Sequence, residues 1–516
     1  MDSNNPQIII PMSGIGSRFK KAGYNNIKPL ITLANKPIIE YVTKLFSPES
    51  NIKFICNKEH LNTTNLKKVL EKPNHEIIPV TPAKKGPVHA IQQAYDSIDD
   101  SRPVIVSYCD FYQTWNYQHF LDYVTQNNCD GAVVCYKGFH PHLLHEKNIY
   151  ASCKVGKNDK LLDIKEKHSF TQNKQHSPQS GGIYYFKTGK ILKKYCDKLM
   201  QNGPTVANEY YASLTYRHML DDNLDVRVYD KVDYFCQWGT PQDLEEYLYW
   251  YEILNNKVTT NNDVICQQQL IPAAGAGSRF QKEGYRMPKP LIPVANKPML
   301  SQAISALPQS KKTILVCQKM HADQYDLQRK IATHIPGATI VTVPKLSQGQ
   351  AMSALAAESY LDPKQDLIIG ACDNGMLYNK DLLVKTMQEA DCIVFTFRNN
   401  PTVTHKPEQY GWVKLADNYG NIAKVSVKIP ISCNPIKDHA IAGTFWFKNA
   451  GIFLKAANNM IKAKRTIGGE FYIDELINDV ITLGFSAKVF EIDYYIGWGT
   501  PNDLKIYEYW RSFFAK

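Results

Sequence analysis

The chain has 516 residues, 44% apolar and 21% charged, with a net charge of +11, which is ample for two large cores and ordinary for a globular protein. No apolar run approaches the roughly 20 residues that span a bilayer, and the polar start Met1–Asn5 lacks a basic-then-apolar signal pattern, so a cytoplasmic protein without membrane insertion is expected. The positive charge is spread over both halves and no basic run interleaves with aromatics, which argues against nucleic acid as a partner and for a solvated lysine surface or small polyanions.

In chain order, Gln7–Pro11 reads as a buried strand, followed by a glycine-rich loop and a helix near Pro37–Phe46. Ile52–Cys56 and Glu76–Val80 read as strands, Val88–Tyr95 as a helix, and Pro103–Cys109 as a strand ending at Asp110. The polar stretch Asn255–Asp263 has no apolar period and fits a linker over 255–265, leaving domains at 1–254 and 266–516. The second half repeats the layout with strands Gln269–Pro272, Thr313–Cys317, Thr339–Val343 and Asp366–Cys372. Helices are expected at Pro298–Leu307 and Met352–Tyr360. Short apolar runs alternating with amphipathic stretches predict an α/β fold with a mostly parallel sheet in each half.

The repetition is explicit. Ile10–Ile31 (I-P-M-S-G-I-G-S-R-F-K-K-A-G-Y-N-N-I-K-P-L-I) returns as Ile271–Ile292 (I-P-A-A-G-A-G-S-R-F-Q-K-E-G-Y-R-M-P-K-P-L-I), and Trp238-Gly239-Thr240-Pro241 returns as Trp498-Gly499-Thr500-Pro501. Arg18 maps to Arg279, Lys28 to Lys289, Asp110 to Asp373 and Glu209 to Glu470, all at a spacing of about 260 residues. That period is the size of a domain, not of a solenoid unit.

The loop Gly14-Ile15-Gly16-Ser17-Arg18 suits an anion: glycines let backbone N–H groups approach it, and Arg18 and then Lys28 add charge. Phe19 stands where a dinucleotide fingerprint has its third glycine, and no Gly-Lys-Ser/Thr of a P-loop is present. The twelve cysteines are scattered singly and are expected to be buried free thiols rather than zinc ligands or disulfides. His140, His142 and His145, without a carboxylate partner, read as exposed loop residues rather than a metal site. The aromatic run Tyr247–Tyr251 reads as packing.

G-x-G-S-R-F, K-P-L-I, an Asp at a strand end and W-G-T-P together resemble the sugar-phosphate nucleotidylyltransferases, or NDP-sugar pyrophosphorylases, over nearly all of both halves. Gly138-Phe139-His140-Pro141-His142 is similar to a branch tied to bacterial capsule and surface-polysaccharide synthesis. The resemblance implies two tandem Rossmann-like nucleotidyltransferase domains with mostly parallel mixed sheets. It also implies attack of a sugar-phosphate oxygen, or that of a similar phospho-alcohol, on the α-phosphorus of a nucleoside triphosphate, with pyrophosphate leaving.

Roles follow from the same resemblance. Arg18, Lys28, Arg279 and Lys289 hold the triphosphate, with Gly14, Gly16, Ser17, Gly275, Gly277 and Ser278 around it. Gly86, Gln348 and Gly349 lie where the base is read. Asp110 and Asp373 bind Mg²⁺. Lys167 and Lys428 take the acceptor phosphate, and Glu166, Gly182, Glu209, Gly443 and Glu470 the sugar. The chain departs from the family in several places. Gln237 and Gly497 replace a second metal Asp, and Asp233 and Asp493, four residues earlier, are about 13 Å away along a strand. The first half has Ile27 where the second has Pro288 and Lys85 where the second has Gln348, and in the second half Val427-Lys428 replaces a Glu-Lys pair. Two sites of differing acceptor preference are expected, in a monomer or homodimer. One catalytic half with a regulatory nucleotide-binding half, a non-catalytic nucleotide-binding scaffold and a glycosyltransferase are the competing readings. The last is disfavoured because Asp110-Phe111-Tyr112 and Asp373-Asn374-Gly375 are not Asp-x-Asp.

Overall fold

The structure is a computed structural model that describes residues 5–145, 147–255 and 264–516. The chain divides into two compact units, residues 1–248 and 249–516, so the division falls inside the helix Pro241–Asn255. Most of the expected linker lies outside the described residues; Asn255 ends that helix and Val264 begins a strand.

In the first unit Gln7–Met12 is buried along its whole length, as a central strand covered on both faces must be. It pairs in parallel with Asn51–Asn57 and with Val104–Ser107, and Asn51–Asn57 pairs in parallel with His75–Val80. The strand Gln179–Phe186 then enters antiparallel between Val104–Ser107 and Gly131–Tyr136, and Val226–Val232 closes the edge parallel to Gly131–Tyr136. The second unit repeats this path. Val264–Pro272 lies between Gln309–Gln318 and Leu367–Ile369, all parallel, and His439–Phe447 is the antiparallel insertion before Cys392–Phe397 and Ala487–Glu491. The expected mostly parallel mixed sheets are present in both units.

The expected strands and helices stand where the apolar periods put them, with shifted ends. The strand expected to run to Cys109 stops at Ser107, and its partner stops at Ile369. The next residues leave the main sheet: Phe111–Thr114 pairs antiparallel with Tyr234–Gln237, and Asn374–Leu377 with Tyr494–Gly497. These two-stranded ribbons carry the W-G-T-P segments back to the strand ends. The N–H of Trp238 donates to the carbonyl of Asp110, and that of Trp498 to the carbonyl of Asp373, both at 2.8 Å.

Nine of the twelve cysteines are buried and none is in a disulfide. Tyr247, Tyr249 and Trp250 are buried, as packing residues are. The expected exposure fails for two of the three histidines. His140 and His142 are buried among Tyr136, Tyr150 and Phe235, and His142 Nε2 lies 2.9 Å from the Tyr136 hydroxyl. Burial pushes His140 down to about 4 and holds His142 well below its usual range, so both are neutral members of the core. Only His145 is exposed. The second unit carries a matching stack, Phe397 on Tyr495 at 4.2 Å, against Tyr136 on Phe235 at 4.4 Å in the first.

Candidate active site

Because Gln7–Met12 and Val104–Ser107 run parallel and adjacent, the glycine loop after the first and Asp110 after the second emerge side by side, at the carboxyl end of the sheet where open α/β sheets bind ligands. Lys28 opens a short 3₁₀ turn, Lys28–Leu30. Its Nζ reaches Asp110 Oδ2 at 2.5 Å. Lys289 makes the same ion pair with Asp373. Burial works against the Lys289 charge, but the Asp373 carboxylate and Cys372 together outweigh it and hold the ammonium above its usual range. The exchange of Ile27 for Pro288 costs no geometry, since Ile27 already sits at φ −63° and ψ 148°, beside −55° and 142° for Pro288.

The glycine loops are open. Gly16 and Gly277 both adopt φ 63°, in the left-handed region, and cap the helices beginning at Ser17 and Ser278 without a side-chain cap. The first amides of those helices therefore have no capping partner from the N-cap side chain. A Cβ added at Gly14 or Gly275 would meet nothing within 4 Å. Packing within the protein does not require glycine there, and its absence of a side chain leaves room above the backbone. Arg18 and Arg279 are exposed beside the loops, and their charge reaches Tyr211 and Tyr472 respectively.

Gly86 and Gly349 differ in kind. At φ 87° and 103°, an added Cβ would stand 2.7 Å from the Tyr210 nitrogen and 2.5 Å from the Phe471 carbonyl oxygen. These glycines let the chain before each helix pair with the segment carrying Glu209 or Glu470. Tyr210 N–H donates to the Lys85 carbonyl at 2.9 Å and Phe471 N–H to the Gln348 carbonyl at 2.8 Å. Glu209 and Glu470 follow tight turns at Ala207-Asn208 and Gly468-Gly469, all four residues at positive φ. Each acid accepts a hydrogen bond from a tyrosine hydroxyl, Tyr211 at 2.6 Å in one unit and Tyr472 in the other.

Gly182 (φ 85°) and Gly443 (φ 73°) lie at irregularities in their strands. The Gly182 carbonyl accepts the Tyr108 N–H at 3.0 Å. Lys167 and Lys428 both adopt left-handed backbones, φ 51° and 60°. Their N–H groups donate to the carbonyls of Tyr150 and Tyr410 at 2.9 and 3.0 Å. A non-glycine residue held there in both units is backbone strain of the kind found at ligand sites. Burial raises the carboxyl of Glu166, while Ser213 and Lys167 offset part of the rise.

The ribbon register excludes Asp233 from the site. Tyr234 pairs with Thr114 and Gln237 with Phe111, so Asp233 lies at the end of the ribbon far from Asp110. The Gln237 amide instead packs against Gly239, and a Cβ on Gly239 would be 3.2 Å from Asp110 Oδ2. Gly499 stands equally close to Asp373.

Two acids near these carboxylates escaped the sequence reading. Asp243 and Asp503 accept from the N–H of Thr240 and Thr500 at 3.1 and 3.0 Å, capping the last helix of each repeat. Burial raises both carboxyls, and the charge of Asp110 or Asp373 adds to it. Their signal was T-P-x-D, read only as part of W-G-T-P.

Among the described residues no three His, Cys, Asp or Glu side chains gather as a metal cage. The donor set of one carboxylate per unit, with an adjacent glycine leaving space, fits a hard cation that arrives largely coordinated by substrate phosphates.

None of the curated proteins matches the chain by sequence. Among solved structures, the chain is similar to a nucleoside-diphosphate-sugar pyrophosphorylase from Vibrio cholerae RC9 (18% identity, 46% of this chain and 98% of that one, TM-score 0.39). It is also similar to the inositol-1-phosphate CTP transferase from T. maritima (17% identity, 48% and 96%, TM-score 0.38). The MobA-like NTP transferase domain matches residues 8–173 and again residues 269–414. By that double match, which covers more than half of its length, the chain belongs to the MobA-like NTP transferase domain family.

Proposed function

We propose that each unit transfers a nucleotidyl group from a nucleoside triphosphate to a sugar phosphate or similar phosphorylated alcohol, releasing pyrophosphate, with Mg²⁺ as cofactor. The observation that carries this reading is the repeated pairing of a loop-end lysine with a strand-end aspartate, Lys28 with Asp110 and Lys289 with Asp373, beside an open glycine loop. A solitary ion pair would be unremarkable; the same pair beside the same loop in both units of a transferase family supports two working sites.

Attack on phosphorus needs positioning and charge neutralisation more than covalent catalysis. In this reading the loop amides, Arg18 and Lys28 bind the triphosphate and stabilise the charge that develops on the leaving pyrophosphate. Asp110 and Asp373 would hold Mg²⁺, which when bound neutralises phosphate charge. Lys167 and Lys428 orient the acceptor phosphate, and Glu209 and Glu470 accept hydrogen bonds from its hydroxyls. Gly86, Gln348 and Gly349 border the base. The differing residues around Lys167 and Lys428 support different acceptors in the two units.

A role in capsule or surface-polysaccharide synthesis rests on the resemblance of Gly138–His142 alone. Pyrophosphate release over CTP, UTP, GTP, ATP and dTTP, against sugar and polyol phosphates with Mg²⁺, tests the reading. Release with at least one pair supports it, and no release with any pair contradicts it.

A further inference from the structure

In the first unit the acceptor-side lysine follows an acid, Glu166-Lys167; in the second, Val427 precedes Lys428 and that carboxylate is gone. Two neighbouring positions change with it. Ala151, Glu166 and Ser213 of the first unit correspond to Gly411, Val427 and Asp474 of the second.

These positions touch. Ser213, second residue of the helix Ala212–Asp221, donates its hydroxyl to Glu166. Asp474 is likewise the second residue of its helix, Ile473–Thr482. Its Oδ2 packs so closely over Gly411 that a Cβ there would collide with it. Gly411 pairs directly with Val427 across the ribbon of Gly411–Leu415 and Ile422–Val427. In the second unit the acid stands on the helix rather than just past a strand end, the residue before the lysine is apolar, and a glycine that leaves room for Asp474 stands where the first unit has Ala151.

Asp474 also feels the charge of the lysine. Desolvation opposes its carboxylate form, as does Glu475, while a backbone hydrogen bond and then the charge of Lys428 favour it. Lys428 Nζ lies 2.5 Å from the Tyr472 hydroxyl, which donates in turn to Glu470. An acid in the first turn of a helix is favoured by the dipole even when it binds nothing. A dipole role does not require close packing over a glycine, however, and desolvating a carboxylate is costly.

We propose that Asp474 is the acceptor-binding carboxylate of the second unit, receiving hydrogen bonds from hydroxyls of a phosphorylated sugar or polyol whose phosphate lies on Lys428. This rests on the nucleotidyl-transfer reading above. The carboxylate comes from a helix on a shorter side chain than Glu166, so it meets the acceptor from another direction and selects a different hydroxyl pattern from the first unit.

The test uses the full chain carrying Asp110→Ala, so that turnover reports the second unit. The acceptors are hexose 1-phosphates, pentitol 5-phosphates, glycerol 3-phosphate and inositol 1-phosphate. Asp474→Ser and the isosteric Asp474→Asn are expected to raise the acceptor KM at least tenfold, with little change in the KM for triphosphate. Asp474→Ser combined with Val427→Glu and Gly411→Ala, which rebuilds the first unit's arrangement, is expected to recover most of that loss. An unchanged acceptor KM in both single variants overturns the assignment while leaving nucleotidyl transfer standing. If the Asp110→Ala chain turns over none of these acceptors, the transfer reading fails for this unit, and calorimetric binding of the same phosphates decides Asp474 separately. Weaker binding to Asp474→Asn then supports the assignment; equal binding, or none to either chain, overturns it.

Discussion

Lys28 Nζ lies 2.5 Å from Asp110 Oδ2 across 82 residues of sequence, and Lys289 repeats the contact with Asp373. Each lysine also lies over an aromatic ring, Lys28 over Phe19 and Lys289 over Phe280, both 5.9 Å from the ring centre. A partly exposed ion pair contributes only about 0–1 kcal/mol to stability. Lys28→Ala and Lys289→Ala should therefore leave thermal unfolding nearly unchanged. Each should reduce the turnover of its own unit by roughly 10²–10³, the usual loss when a donor to developing negative charge is removed. Differential scanning calorimetry and pyrophosphate release check the two halves of this expectation.

The glycines divide into two groups with opposite expected behaviour. Gly14→Ala and Gly275→Ala add a methyl to open space, so stability should hold while the KM for triphosphate rises about tenfold or more, about 1.4 kcal/mol of binding. Gly86→Ala and Gly349→Ala drive a methyl into backbone at a left-handed position and should cost about 1–3 kcal/mol of stability. Thermal melts with and without nucleotide separate the groups.

Ala207 holds φ 54° in the turn before Glu209, where the second unit has Gly468 at φ 59°. Left-handed backbone costs an L-residue about 1–2 kcal/mol. Ala207→Gly should raise the melting temperature of the first unit by relieving that strain, with Gly468→Ala lowering that of the second.

Burial lifts Asp474 from 3.8 to about 6, with the Lys428 charge opposing the rise and Glu475 adding to it. Between those values the folded chain binds more protons than the unfolded one, so stability falls as pH rises from about 4 to about 6. Below that window the contribution is fully present, and above it the contribution is lost. Asp474→Asn should flatten this part of the profile, measured as the denaturant midpoint against pH.

Much of this was legible in the sequence. The two-fold repeat, the central strands and the mostly parallel sheets follow from apolar runs such as Gln7–Met12, whose burial on both faces leaves few alternatives. The proximity of Lys28 to Asp110 was implied only through resemblance, because it depends on which parallel strands are neighbours. The burial of His140 and His142 was missed because the aromatic wall that closes over the nearby Tyr136 and Tyr150 is completed by Phe235, more than 90 residues on in the sequence. Asp474 was invisible for a related reason: the loss at Val427 is plain in a linear reading, but its replacement lies 47 residues on and meets it only through packing against Gly411.

The most direct test of two working sites is pyrophosphate release by wild type, Asp110→Ala and Asp373→Ala, measured side by side over the five triphosphates and the acceptor panel. The account predicts that each substitution abolishes a different triphosphate–acceptor pair and spares the other. Loss of all turnover with one substitution and none with the other would contradict it, leaving a single catalytic unit and a second that binds nucleotide for another purpose.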